Sequence, residues 1–169
     1  MKVIGLVGAS GSGKTTLLEA LLPLLRRQGV SVSTVKHSHH APDIDQPGKD
    51  SWRHREAGAV ETLLLSSARW ALMHELHGAA EPALPELLAH MTPVDLVLVE
   101  GFKTHPFPKI EVHRPARGRP PLWPGLRDVV AVATDAPLLP GCDRTVLALN
   151  DPAEVARFAL AAACPAPRG

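Results

Sequence analysis

The chain has 169 residues, 45% hydrophobic and 21% charged, the proportions of an ordinary globular protein of about one domain. Its 18 Lys+Arg against 17 Asp+Glu leave a formal charge of +1, without the basic excess of a nucleic-acid binder. The two cysteines, Cys142 and Cys164, match no ligand spacing and are too few for a disulfide framework, which suits a reducing compartment. No apolar run approaches ~18 residues, so no membrane span is expected. The apolar start at Met1–Ala9 gives way to Ser-Gly-Ser-Gly-Lys too early for an export signal, and a cytoplasmic location is expected.

Lys2–Val7 is a short apolar run bounded by Gly8 and predicts a buried strand. Lys14–Arg27 predicts a helix, with Leu17, Leu18, Leu21, Leu22 and Leu25 in one stripe and Gly29 as its stop. Pro23 lies inside it, removes a backbone donor and is expected to bend it. Val30–Lys36 alternates and predicts a second strand. His37–Asp50 is polar, with Pro42, Pro47 and Gly48, and is long enough for a functional loop. Ser51–Ala59 predicts a short helix, Glu61–Ser66 and Trp70–Leu76 strands, and Pro85–Met91 a helix. Val94–Val99 is a nearly continuous apolar strand ending at Glu100-Gly101, and Lys109–His113 is a weak strand signal. Eight of the 17 prolines fall between His105 and Gly141 and mark one stiff, irregular region over about residues 105–127. Val129–Ala133 and Thr145–Leu149 predict buried strands, and Asp151–Ala163 a closing helix with Asp151 as N-cap. Trp52, Trp70 and Trp123 are expected to pack. No internal repeat is present. Alternating strands and helices, several strands apolar throughout, predict one α/β domain: a mostly parallel sheet with helices on both faces.

Gly8-Ala9-Ser10-Gly11-Ser12-Gly13-Lys14-Thr15 matches G-x-x-x-x-G-K-[ST] without a mismatch, after a buried strand and opening a helix. Glycines there let backbone N–H groups converge on phosphate oxygens, the helix N-terminus adds a favourable dipole, and Lys14 reaches the outer phosphates. Thr15, with Thr16 beside it, offers a hydroxyl to Mg²⁺. The three-layer P-loop NTPase fold and a bound nucleoside triphosphate follow as expectations. Magnesium needs a further carboxylate at the carboxyl end of a neighbouring strand. Asp95 and Glu100 bracket one strand, and at ~3.3 Å per residue only Glu100 reaches that end. Gly101 beside it lets a γ-phosphate approach the backbone.

The loop after the second strand reads Lys36-His37-Ser38-His39-His40 and continues through Asp43, Asp45, Pro47, Gly48, Lys49 and Asp50. His37, His39 and His40 fit a metal site, contacts to an anion or nucleotide, or a solvated polar loop without chemistry, and Asp45 is a second candidate Mg²⁺ ligand. Lys36, Lys49 and Lys103 form an anion site if their loops converge, and are solvated lysines otherwise. These segments, with Ala57-Gly58-Ala59 and Leu98-Val99-Glu100-Gly101-Phe102-Lys103, resemble the MobB family of molybdopterin-guanine dinucleotide biosynthesis proteins. The resemblance runs in order over about the first 115 residues and more loosely to Asp135; the Pro-rich stretch Pro115–Pro124 has no counterpart in it.

The resemblance implies a GTP-binding accessory protein with at most slow, Mg²⁺-dependent GTP hydrolysis. It also implies a homodimer that assists the guanylyltransferase of the MobA type, with molybdopterin as a further ligand. On that basis Gly8, Ser10, Gly11, Ser12, Gly13, Lys14, Thr15, Thr16 and Gly101 hold the nucleotide. Lys14 and Glu100 act on the phosphates, and Thr15, Glu100 and Asp45 serve the metal. Lys36, His37, His39, His40, Lys49 and Lys103 make up the anion or switch region. Asp135, just past the strand Val129–Ala133, is placed to accept from guanine N1–H and N2–H₂, or is an ordinary turn aspartate before Ala136-Pro137. No Asn-Lys-x-Asp is present, so guanine preference rests on the resemblance. A small-molecule P-loop kinase and a metal-delivery GTPase are the other readings; the prolines near Arg114–Arg127 make a poor lid for the first, and the distant cysteines a poor site for the second.

Overall fold

The computed structural model describes residues 1–38 and 44–167. In chain order the elements begin with β1 (Lys2–Val7), α1 (Lys14–Arg27), β2 (Val32–Lys36), α2 (Asp50–Glu56), β3 (Glu61–Leu65), β4 (Trp70–His74) and α3 (Leu84–Ala89). They continue with β5 (Leu96–Glu100), β6 (Lys109–His113), β7 (Val129–Thr134), β8 (Thr145–Ala148), α4 (Pro152–Ala162) and β9 (Cys164–Pro165). They fall into two compact units, Met1–His37 with Met91–Gly169, and Ser38–His90.

The first unit is a sheet in the order β2-β5-β1-β6-β7-β8, parallel throughout, with β9 added antiparallel to β1. Its central strands read as unbroken apolar runs because both faces are covered. Ile4, Leu6, Leu98 and Ile110 project from one face onto Leu17, Leu21 and Leu25 of α1 and Val155, Ala156 and Ala159 of α4. Alternate residues point the other way. There Val7, Val129 and Val132 pack with Trp123 and Leu139, which belong to irregular segments where the sequence leads one to expect a helix. Trp123 thus packs as expected, but the Pro-rich segment rather than a helix supplies it.

Helix α1 runs through Pro23, which lies on its exposed side, where water can serve the carbonyl left without a donor. Its end is a Schellman motif. Gly29, at φ +77°, donates to Arg26 O at 3.0 Å, and Val30 N donates to Leu25 O at 3.1 Å. At α4, Asp151 Oδ1 accepts from the N–H groups of Ala153 and Glu154, both at 3.1 Å. That is the expected cap, worth about 1 kcal/mol.

The weak signal at β6 is a strand buried at every position. Its alternation Lys-Ile-Glu-Val-His suggests a half-solvated face, yet each polar side chain is satisfied inside. Lys109 Nζ donates to the carbonyls of His105 and Phe107, lies 4.1 Å from the Phe107 ring centroid and is 3.8 Å from Asp128. Burial lowers its pKa and Asp128 partly restores it. The Glu111 carboxylate accepts from Leu122 N at 2.8 Å and Trp123 N at 2.9 Å, tying down the Pro-rich segment. His113 stands edge-on to the Trp123 ring.

The second unit holds the antiparallel hairpin β3–β4, α2 and α3. Pairs Leu63↔Leu72 and Leu65↔Trp70 put four apolar side chains on one face of the hairpin. Their exposure runs from 46% at Leu72 to 73% at Leu65, and Trp70 is exposed rather than packed. Arg55 of α2 donates to both oxygens of Asp45, at 3.1 and 2.8 Å, and to Glu75 at 2.8 Å.

Candidate functional site

The sharp turn after β1 is possible only because Gly8 lacks a side chain. At φ +147° a Cβ there would lie 2.4 Å from Val112 O and 2.8 Å from Ser12 Oγ. Gly13 at φ +101° then turns the chain into α1, and Leu17 N closes the first helical bond to Gly13 O at 2.9 Å. Lys14 folds back over the loop, donating to Gly8 O at 3.1 Å and Ala9 O at 3.0 Å. Gly11 and Ser10 stand at the exposed crest, and Thr15 and Thr16 are exposed in the first helical turn.

Sheet register decides which residues join this loop. Leu6, Glu100 and Lys36 lie on one rung at the carboxyl ends of β1, β5 and β2, one residue before the loop strand ends. Asp95 is at the opposite end of β5, where it accepts from Ser31 N at 2.8 Å and from the Ser31 hydroxyl. Lys14 has its pKa lowered first by burial, then by Lys103 and Lys36, with Glu100 acting in the opposite sense. Three lysines and one carboxylate therefore share one field around the loop. Thr15 and Glu100 offer a hydroxyl and a carboxylate oxygen, the donor set that suits a hard cation such as Mg²⁺.

The turn after Glu100 is tight. Gly101 at φ +97° is pressed on His37, whose Cβ would be 2.9 Å from a side chain there, and Phe102 follows at φ +47°. His37 N donates to Glu100 O at 2.9 Å, and its ring lies 4.8 Å from that of Phe102. His37 thus packs on the end of β5, while His39 and His40 lie outside the described residues. Among the described residues, no three of His, Cys, Asp and Glu gather as a metal would require. Lys49 and Asp45 belong to the second unit, where Lys49 precedes α2 and Asp45 lies under Arg55. That guanidinium holds the Asp45 carboxyl below its usual pKa range.

Asp135 lies just past β7 and is paired with Arg114, whose Nη1 is 2.6 Å from its Oδ2. Arg114 Nε also donates to Ser12 O at 3.0 Å, so one side chain joins Asp135 to the phosphate loop. Sequence reasoning does not single out Arg114 for this role. The signal is tertiary: Arg114 follows β6, and β6 is the parallel neighbour of β1.

A parallel sheet whose first strand feeds such a loop also places the chain among known proteins. The family described as "Molybdopterin guanine dinucleotide synthesis protein B", MobB, matches residues 3–135. The chain belongs to the MobB family. A molybdopterin-guanine dinucleotide biosynthesis adapter protein of Haemophilus influenzae is 46% identical over 160 residues, covering 92% of this chain and 86% of the relative. The Escherichia coli protein of the same description is 44% identical over 152 residues, covering 88% and 86%. Among solved structures, a MobB homologue from Bacillus stearothermophilus superposes with a TM-score of 0.68 at 29% identity, over 94% of this chain and 95% of that one. Bacillus subtilis MobB gives a TM-score of 0.76 at 24% identity over 98% and 100%, a likeness of fold. The P-loop NTPase fold expected of the sequence is the fold of this family. Among the described residues, no helix is long and apolar enough to cross a membrane.

Proposed function

We propose that this MobB chain is a GTP-binding adapter of molybdopterin-guanine dinucleotide biosynthesis that works beside the guanylyltransferase of the MobA type. What supports the reading is the loop Gly8–Thr15 with Lys14, Glu100 and Lys36 at one sheet edge. Loop N–H groups and Lys14 would hold the β- and γ-phosphates, and Thr15 with Glu100 would hold Mg²⁺, which would supply positive charge against them. Asp135 reads guanine with its remaining oxygen while Arg114 fixes the other. Lys36 and Lys103 extend the positive field and suit the phosphate of molybdopterin. Hydrolysis is slow in this reading, because charge and positioning come from the loop, Lys14 and Glu100, and no water-orienting residue is identified among the described residues.

The same reading makes the protein a cytoplasmic homodimer. The hairpin face of Leu63, Leu65, Trp70 and Leu72 supports it: these exposed side chains fit a self-complementary two-fold contact.

Calorimetric titration with Mg²⁺ and non-hydrolysable GTP or ATP analogues tests the nucleotide reading. GTP analogue binding that is lost in Lys14→Ala is expected. Preference for the ATP analogue overturns the role of Asp135 and favours a kinase.

A further inference from the structure

Three arginines next to the phosphate loop have no part in that reading beyond the contact of Arg114 with Asp135. Arg114, Arg117 and Arg119 line a small crevice with Ser10, Ser12 and His113, between the loop and the end of β6. Arg114 is preorganised by Ser12 O and Asp135, and its Nη2 donates to nothing among the described residues. The guanidinium groups of Arg117 and Arg119 likewise have no acceptor among them. The Ser12 hydroxyl is 4% exposed at the residue level and has no hydrogen-bond partner. Nearby carboxylates are already engaged: Asp135 by Arg114, and Glu111 by the N–H groups of Leu122 and Trp123, with His113 Nδ1 3.8 Å away.

Three guanidinium groups gathered by a stiff segment repel one another, and among the described residues only that of Arg114 has a carboxylate partner, Asp135. An anion with several oxygens relieves that repulsion. Guanidinium forks match phosphate oxygens two at a time. Prolines 115, 120, 121 and 124 limit the entropy lost when the arginines close on it. We infer that the mouth of this crevice, whose interior is too small for more than a water, is a second phosphate-binding site beside the Gly8–Thr15 cradle, sharing Ser10 and Ser12 with it, that takes a phosphomonoester. The group comes either from a second phosphate-bearing molecule or from the nucleotide held by the loop.

Inorganic phosphate is the probe, titrated calorimetrically into the full chain. Lys14→Ala weakens the cradle, so phosphate uptake that persists in this variant reports the crevice. It is expected to fall about tenfold or more when Arg117→Gln and Arg119→Gln are added. Both arginines are exposed, so the substituted chain keeps its fold, which circular dichroism checks. Unchanged phosphate binding after the two substitutions, or none in Lys14→Ala, overturns the site. The source is decided with the parent chain saturated with a GTP analogue. Residual phosphate uptake that depends on the two arginines identifies a second molecule. No residual uptake, with analogue affinity lowered about tenfold by the substitutions, identifies the nucleotide's own phosphates. No residual uptake with analogue affinity unchanged overturns the proposal. A parent chain that binds no GTP analogue defeats the GTP reading and leaves the Lys14→Ala result to decide the crevice alone.

Discussion

Gly8 is where the phosphate loop is least tolerant of change. Gly8→Ala would drive a methyl group to 2.4 Å from Val112 O at a φ that L-residues avoid. The strain and overlap together are expected to cost roughly 3 kcal/mol in urea unfolding. Gly11, also at positive φ but with open space around it, pays only for backbone strain, so Gly11→Ala should destabilise less. Equal losses from the two would show that backbone strain alone governs Gly8. Lys14 carries a second prediction. Its pKa is lowered by burial, and by Lys103 and Lys36, against Glu100. In the proposed function phosphate binds the charged amine, so GTP affinity should fall as pH rises through the depressed pKa. Lys103→Met removes a lowering influence and should move that fall to higher pH; Glu100→Gln should move it lower. Analogue titrations between roughly pH 7 and 10 check it, and comparing variants cancels titration of the ligand. Identical midpoints would sink the assignment of Lys14 as the phosphate contact.

At the level of elements, the Pro-rich segment is the instructive case. Composition marks it as stiff and irregular, but not what it covers. Trp123 closes the second face of the sheet, and Glu111 holds the segment by its backbone donors at 2.8 and 2.9 Å. Glu111→Ala leaves those donors unpaired beside a cavity and is expected to cost about 3 kcal/mol, with faster amide exchange at Leu122 and Trp123. Glu111→Gln keeps an acceptor oxygen and should lose less. Equal stability in all three chains would mean that the carboxylate is not the anchor. Strand β6 was only weakly legible for the same reason. Lys109, Glu111 and His113 look like a solvated face until their partners in distant loops are known. Helix α1 and the cap at Asp151 were legible because stripe, cap and stop are local. Pro23 follows the same local rule without ending α1, which runs through it as one helix.

At the level of the whole molecule, the hairpin bears on assembly. Leu63, Leu65, Trp70 and Leu72 form one apolar face, with the Glu61–His74 pair, 2.9 Å apart, beyond it. In the proposed dimer, Leu63→Asp buries a charge against its two-fold mate. Sedimentation should then show a shift from dimer to monomer, with GTP analogue binding retained at the loop of the first unit. A parent chain that sediments as a monomer at micromolar concentration would remove the dimer from the reading. The two compact units also divide the candidate residues. Lys36, His37, Glu100 and Lys103 belong with the loop in the first, and Asp45 and Lys49 in the second.

Sequence by itself determined the α/β class, the glycine-lysine turn between β1 and α1, and that Glu100 rather than Asp95 stands at the carboxyl end of β5. Each depends on signals within a few residues: apolar runs, a glycine spacing, the rise per residue along one strand. Tertiary structure alone decided that Arg55 engages Asp45, that Arg114 links Asp135 to Ser12, and that Trp123 takes the place of a helix on the second face. In each case the partners are far enough apart in sequence that only the parallel register or the packing of an irregular segment brings them together. A charge says that it needs a partner; where the chain folds back says which.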